Sequence, residues 1–370
     1  MDQGKVFGLR GGMKKSGVKK KRPVLKVVLT VTAVVCCAAL CFCTYIYWNM
    51  QRMRTAAVQV VSKPPELPAQ TPAPMPSLSP IEGVPDDIGE DHDDPVEDQR
   101  ISDDPIYGLN AIDESIVNIL LVGEDTLPEE NGQGRSDTMM LLSYDREHNE
   151  AKLVSFLRDT YVHIPERNTW NRINAAYRFG GIGLTVNTIN ENFGLDIRYY
   201  VATDFSNLEN IVDTLGGLEL SLTEAEAAYI NIYTPEHALP EEDGTHLLSG
   251  PQVLAHCRNR DTGDGDWGRT NRQRQVMLAF FNRAKKERNA ETLIALANSL
   301  LKYVRTNIDV ETLIQLGVES VFSDGFVLEG EAVPFEGTWK YASVNGASVI
   351  KIDTASNERL LHQFLYGEEQ

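Results

Sequence analysis

Residues 116–123 (IVNILLVG), 138–144 (TMMLLSY) and 151–157 (AKLVSFL) are three short apolar runs bounded by turn-formers. Runs of this length and composition read as buried strands. The polar stretch 145–150 joins the second to the third as a hairpin. Outward from these strands, 171–179 and 184–193 carry helical patterning and are separated by Gly180, Gly181 and Gly183. Residues 197–203 (IRYYVAT) alternate like a strand. A helix follows over 204–215, with Asp204 at its N-cap and Gly216-Gly217 as its stop. Residues 223–230, 249–257, 269–288, 290–304 and 310–320 read as further helices, and 326–334 and 341–352 as late strands. Strands interspersed with helices predict the α/β class, with a mixed β-sheet flanked by helices as an α-β-α sandwich.

The rest of the chain divides by charge. Its 370 residues hold 35 Lys+Arg and 53 Asp+Glu, a net charge of −18, which argues against a dedicated nucleic-acid binder. Residues 1–26 run the other way, with nine Lys/Arg against one acid, Asp2. Residues 27–48 contain no charge and end in Tyr45, Tyr47 and Trp48. As a helix this run reaches roughly 33 Å, enough to cross a hydrocarbon core. The expected order is a basic cytoplasmic tail (1–26), one transmembrane helix (27–48), a Pro-rich acidic stalk (49–113) and an extracytoplasmic domain (114–370). The rival, a cleaved signal peptide, has a shorter apolar region and needs a small-residue cleavage site, which does not follow Trp48. Cys36, Cys37, Cys41 and Cys43 fall within the apolar run, leaving Cys257 alone, so neither a disulfide framework nor a zinc spacing is present.

The stretch with the most chemistry is 256–274, HCRNRDTGDGDWGRTNRQR. It sets Arg258, Arg260, Arg269, Arg272 and Arg274 around Asp261, Asp264 and Asp266. If a helix begins at Arg269, then Arg269, Arg272 and Gln273 share one face. Cations at that end oppose the helix dipole unless an anion sits there, and guanidinium forks suit phosphate. The alternative is a solvated face whose charges pair among themselves. Calcium-loop and aspartic-protease readings fail: an EF-hand would need Glu where Arg272 stands, and Asp261-Thr262-Gly263 lacks β-like flanks. Asp125 lies just past the first strand and Asp137 opens the second, so adjacent strands could bring both carboxylates to one sheet edge. Two carboxylates beside phosphate suit Mg²⁺, although a lone Asp there is more commonly a turn residue. Arg135 and Arg158-Asp159 also fall at strand ends, and Arg172 and Asn174 begin the helix after Trp170; alone, each is most often a cap or surface charge.

LLVGED, GRSDTMMLLS, SFLRDTYVHIP, RINAAYRFGG, YYVATDF, VDTLGGLEL, LSGPQVLAHCRNRD and GDWGRTNRQRQV occur in an order that resembles the LytR-CpsA-Psr family, from about residue 115 to about residue 290. The resemblance implies an extracytoplasmic, Mg²⁺- or Mn²⁺-dependent phosphotransferase with an apolar tunnel for a polyprenyl chain. Its reaction would move a glycan-phosphate from a polyprenyl-pyrophosphate carrier onto peptidoglycan. The glycan would be a teichoic acid, capsule or other secondary wall polymer. By the same resemblance Asp125 and Asp137 bind the metal. Arg135, Arg158, Arg172, Arg258, Arg260, Arg269, Arg272 and Gln273 bind pyrophosphate. Arg158, Arg260, Arg269 and Asp266 carry the catalysis, with Asp266 as base or orienter of the acceptor. Arg172 stands where the family more often has Lys, SFLRDT lacks the usual Pro before Arg158, and Cys257 replaces an aliphatic residue. The competing readings are a non-catalytic wall regulator or scaffold that binds polyprenyl-pyrophosphate lipids, and a lipid-pyrophosphate hydrolase.

Overall fold

The three apolar runs form the middle of a six-stranded sheet. In the computed structural model they are β3 (Ile116–Asp125), β4 (Arg135–Asp145) and β5 (Glu150–Phe156), joined antiparallel with Asp145 opposite Glu150 at the hairpin end. The structure describes residues 60–62, 105–125, 135–263, 265–286, 290–322 and 327–367, all within one unit spanning Met53–Gln370. The basic tail, the charge-free run 27–48 and most of the stalk lie outside the described residues. Among the described residues no helix is long and apolar enough to cross a membrane.

The sheet is mixed. β8 (Tyr199–Asp204) runs parallel to β3, and β12 (Val327–Val333) parallel to β5, while β11 (Arg305–Thr306) closes the far edge antiparallel to β8. Leu120, Val122, Met139 and Leu141 point to one face, into a core completed by Tyr177, Val186 and Phe193 of α1 (Ala175–Phe193) and Leu361 and Leu365 of α8 (Thr354–Tyr366). Ile119, Tyr144 and Ala151 point to the other, against Phe281 of α5 (Gly265–Lys286) and Leu313 and Leu316 of α7 (Val310–Phe322). Cover on both faces explains why the strand runs are continuously apolar, and it makes the expected α-β-α sandwich.

Two smaller sheets flank this one. β6 (Thr160–Ile164), β7 (Thr169–Arg172), β13 (Trp339–Val344) and β14 (Ala347–Ile352) form a four-stranded sheet in the order β13-β14-β6-β7. β9 (Leu218–Leu222) and β10 (Gly244–Leu248) pair with each other and pack with α2 (Phe205–Thr214), α3 (Glu224–Tyr233), α4 (Gly250–Arg258) and α5 around a separate core. Val276 belongs to that second core.

Several boundaries differ from the sequence reading. Residues 171 and 172 close β7 rather than open a helix, and α1 is kinked where Gly180 and Gly181 leave helical geometry, Gly181 at φ 63°. The segment 341–352 is a hairpin of two strands, turned at Asn345 and Gly346, both with positive φ. The end of the expected stalk packs onto the domain: Ile106 of β2 (Ile106–Gly108) is fully buried, and the Ile112 N–H donates to Asp196 Oδ2 at 3.0 Å. An apolar anchor and a carboxylate acceptor outweigh the local bias of a Pro-rich acidic segment toward extended chain. β2 pairs in parallel with the short β1 (Val60–Ser62).

Candidate active site

Asp137 owes its position to a bulge. Gly123 pairs with Thr138, but Glu124 pairs with Ser136, so Asp137 is the extra residue between them. A bulge bends its strand and re-aims a side chain. Gly123 permits the close approach, since a Cβ there would lie 3.0 Å from Thr138 Cβ. Asp125 ends β3 opposite Arg135, so both reach the expected sheet edge by backbone.

The turn from Leu157 to Thr160 supplies the next pair. Thr160 N–H and Oγ1–H both donate to the Leu157 carbonyl, at 3.0 and 2.6 Å. Within this turn Arg158 Nη1 donates to Asp137 Oδ1 at 2.8 Å. Arg158 Nε stands 3.8 Å from Asp159 Oδ2 and 3.6 Å from Asp266 Oδ1. Arg172, from the end of β7, is 3.6 Å from Asp159.

α5 brings the third group. Its helix starts at Gly265, earlier than expected, with Asp266 in the first turn. The premise that cations crowd a helix N-terminus therefore does not hold: an acid occupies the favourable end and Arg269 lies deeper. Arg269 Nη2 approaches Asp266 Oδ1 at 2.8 Å and its Nη1 approaches Asp137 Oδ2 at 3.7 Å. Arg260 Nε is 3.9 Å from Asp266 Oδ1.

Four arginines and three carboxylates from four separate segments thus meet at one place. They satisfy one another only in part. Among the described residues Arg158 Nε, Arg269 Nε and both Asp266 oxygens are closed to solvent without a well-directed hydrogen bond, despite the short Asp266–Arg269 approach. Orphaned charged groups of this kind are costly unless a ligand completes them.

The electrostatics divide the acids. Burial pushes the Asp137 carboxyl up, but Arg158 and Arg269 outweigh it and hold the group below its usual range. Asp159 goes the other way: burial, aided by the charge of Asp266, raises it despite Arg158 and Arg172. Arg158 is raised, its three acidic neighbours overcoming burial, whereas burial lowers Arg269. A lowered Asp137 stabilises the fold above its unfolded value, and that contribution is lost as pH falls through the folded value. A raised Asp159 costs stability, and the cost grows as pH rises from the unfolded value through the folded one. At pH 7, Asp137→Asn should lower the melting temperature and Asp159→Asn should raise it. Both differences should vanish well below the ordinary Asp value of about 3.9. Calorimetry across pH checks the opposite signs.

Three expected ligands do not join the cluster. Arg272 Nε and Nη2 donate to the Asn259 carbonyl at 3.1 and 2.7 Å, and its Nη1 donates to Glu226 Oε1 at 3.3 Å. Gln273 Nε2 reaches the Cys257 carbonyl at 3.5 Å. Arg258 lies over the Phe205 ring, 4.1 Å from its centroid. The shared helix face is real, since Arg269, Arg272 and Gln273 are all buried, but its successive turns meet different neighbours.

Asn259 organises the loop that carries Arg260. It is fully buried, its Oδ1 accepts from the Asp261 and Thr262 N–H groups, and its Nδ2 donates to Thr262 Oγ1. Gly268 lets this loop lie against α5: a Cβ there would sit 2.3 Å from the Gly263 carbonyl oxygen. Gly268→Ala should cost about 1–3 kcal/mol, as overpacking does, read by urea unfolding. Burial raises the Cys257 thiol to about 12, which leaves it unreactive as a nucleophile.

Known proteins carry the same chain pattern. A family model described as the LytR_cpsA_psr family matches residues 88–364. The chain is 29% identical over 252 residues to "Regulatory protein MsrR" of Staphylococcus aureus (strain COL), covering 67% of this chain and 74% of that one. It is 31% identical over 201 residues to "Polyisoprenyl-teichoic acid--peptidoglycan teichoic acid transferase TagU" of Bacillus mycoides (strain KBAB4), covering 54% and 63%. The solved structure "TagT bound to LI-WTA" aligns with TM-score 0.56 at 25% identity, over 68% of this chain and 91% of that one. "LytR-CPS2A-psr family protein YwtF (TagT) with bound octaprenyl pyrophosphate lipid" shares the fold, with TM-score 0.53 and 24% identity over 68% and 91%. The ordered motifs, the mixed sheet between helices and the match across most of its length agree: the chain belongs to the LytR_cpsA_psr family.

Proposed function

We propose that this chain is a membrane-anchored, extracytoplasmic phosphotransferase that moves a glycan-phosphate from a polyprenyl-pyrophosphate carrier onto a peptidoglycan hydroxyl. The supporting observation is the set of orphaned, solvent-closed groups: a pyrophosphate would complete the donors Arg158 Nε and Arg269 Nε, and an acceptor hydroxyl would donate to the Asp266 carboxylate. The teichoic acid transferase name of TagU and the lipid bound to the YwtF structure support the same substrate class.

In the reaction the acceptor oxygen forms a bond to the glycan-side phosphorus. The bridging P–O bond breaks, and its electron pair leaves with polyprenyl phosphate. Negative charge gathers on the bridging and peripheral oxygens, so positioning and charge stabilisation carry the catalysis. Arg158 and Arg269 flank the place where that charge develops, with Arg260 beside them on the more exposed side. Asp266, among these guanidiniums, orients the acceptor hydroxyl or takes its proton.

The donor set fits Mg²⁺, or Mn²⁺ in its place. Among the described residues no group of three metal-ligating side chains could hold an ion unaided. Magnesium, however, takes one or two carboxylates together with phosphate oxygens and water. Asp137, whose Oδ2 makes only the 3.7 Å approach to Arg269, would supply one carboxylate and Asp125 the other. When bound, the metal neutralises charge on the pyrophosphate. A polyprenyl tail would lie in an apolar tunnel, and residues 27–48 would anchor the chain with its tail in the cytoplasm.

The test incubates the full-length chain in detergent with Mg²⁺, a polyprenyl-pyrophosphate-linked oligosaccharide and uncrosslinked peptidoglycan. Mass spectrometry should show the acceptor gaining glycan plus phosphate, with EDTA abolishing the gain. Lipid cleavage without acceptor gain would make the protein a hydrolase. Tight lipid binding without turnover would favour the regulatory role that the name of MsrR suggests.

A further inference from the structure

Trp267 follows Asp266 in the first turns of α5 and begins a row of aromatic rings leading away from the charged cluster. Its ring lies 5.0 Å from that of Trp339, and Trp339 lies 5.1 Å from Tyr341, edge to face. Trp339 and Tyr341 stand two apart on β13, so they share one face of that strand. Exposure rises outward: Trp267 and Trp339 are partly buried, and Tyr341 is 45% exposed, one of five large hydrophobics so exposed among the described residues. β13 is an edge strand of its sheet, with no strand beyond it among the described residues, so its outer backbone groups lie beside the rings. The row is tied to the reaction centre at both of its supports. α5 carries Asp266, and in β14 the Ile350 N–H donates to the Asp159 carbonyl at 2.8 Å. Trp267 Nε1 has no hydrogen-bond partner among the described residues.

An aromatic row running from a phosphoryl-transfer centre to an open sheet edge suits one ligand class. Pyranose rings offer flat C–H faces to aromatic rings and hydroxyl or acetamido groups to backbone edges. A phosphate would use the backbone donors but not the rings, and a lipid tail the rings but not the backbone; a sugar uses both. We propose that Trp267, Trp339 and Tyr341 form a platform for the acceptor glycan, a chain of N-acetylated hexopyranose units whose reacting hydroxyl is thereby held at Asp266. This rests on the phosphotransferase reading for its choice of acceptor, but sugar binding can be measured without turnover.

The experiment titrates the full-length chain in detergent with a β-1,4-linked tetramer of N-acetylglucosamine and follows tryptophan fluorescence, with maltotetraose as the control sugar. The expected result is a saturable change with the N-acetylated tetramer alone. Tyr341→Ala should weaken the affinity about tenfold, equivalent to about 1.4 kcal/mol. Tyr341 is exposed enough that its removal leaves the core intact. Trp339→Leu should remove most of the signal, with circular dichroism confirming that it folds. With peptidoglycan as acceptor, Tyr341→Ala should raise the acceptor KM more than it lowers kcat. No saturable change in the parent chain, or an affinity indifferent to both substitutions, would overturn the platform. A chain that binds the tetramer but never transfers would retain the platform and lose the enzyme.

Discussion

Replacing Arg158 with alanine should lower the rate of the proposed glycan-phosphate transfer by about 10²–10³-fold, the usual cost of removing one preorganised donor from a developing oxyanion. Arg158 is the hub of the cluster, with a hydrogen bond to Asp137 and approaches to Asp159 and Asp266. Its loss leaves the three carboxylates of the cluster with one guanidinium fewer to offset them against the proposed polyanionic substrate. The effect should appear in kcat more than in donor binding, because charge on the bridging oxygen grows toward the transition state. Arg158→Lys separates charge from shape. Lysine restores the positive charge but cannot present the planar fork, so it should recover only part of the rate. Steady-state kinetics with the mass-spectrometric assay decide this. An Arg158→Ala enzyme within a few-fold of the parent would remove Arg158 from the mechanism.

The second large effect is on stability. Arg272→Met should destabilise the domain by about 3–5 kcal/mol, the range for breaking one side of a buried ion pair. Arg272 and Glu226 have side chains only 6% and 13% exposed, and the same guanidinium holds the carbonyl of Asn259. Adding Glu226→Gln should recover part of the loss, because the stranded carboxylate is then neutral. Urea unfolding of the single and double variants measures the coupling. Activity should fall only as the loop bearing Arg260 loosens. An Arg272→Met chain of full stability but reduced substrate affinity would return Arg272 to the ligand set.

These two arginines show what the sequence could and could not reveal. Arg158 and Arg272 both stand in motifs that suggest phosphate, and residue type alone does not separate them. Helical spacing put Arg269, Arg272 and Gln273 on one face, which the structure buries, but spacing is silent on burial and on which neighbour each turn meets. The central strands were legible because burial on two faces leaves an unbroken apolar run. The kink in α1 was legible in its glycines. The hairpin at Asn345-Gly346 had a visible turn signal within an otherwise strand-like stretch, which was read as a single strand. α8 carries a cap, Asp353 accepting from the Ser356 N–H at 3.2 Å, in a sequence too mixed to stand out. Asp159 reads in the sequence only as a strand-end charge, and Asn259 carries no signal as a site-building residue. Each acts through contacts with segments distant in the chain or through a two-residue loop pattern common on any surface.

The bulge between Gly123 and Glu124 fixes more than the aim of one carboxylate. It sets the parity of the strand pair before the chain leaves the sheet, so the position of Asp137 does not depend on how many residues connect β3 to β4.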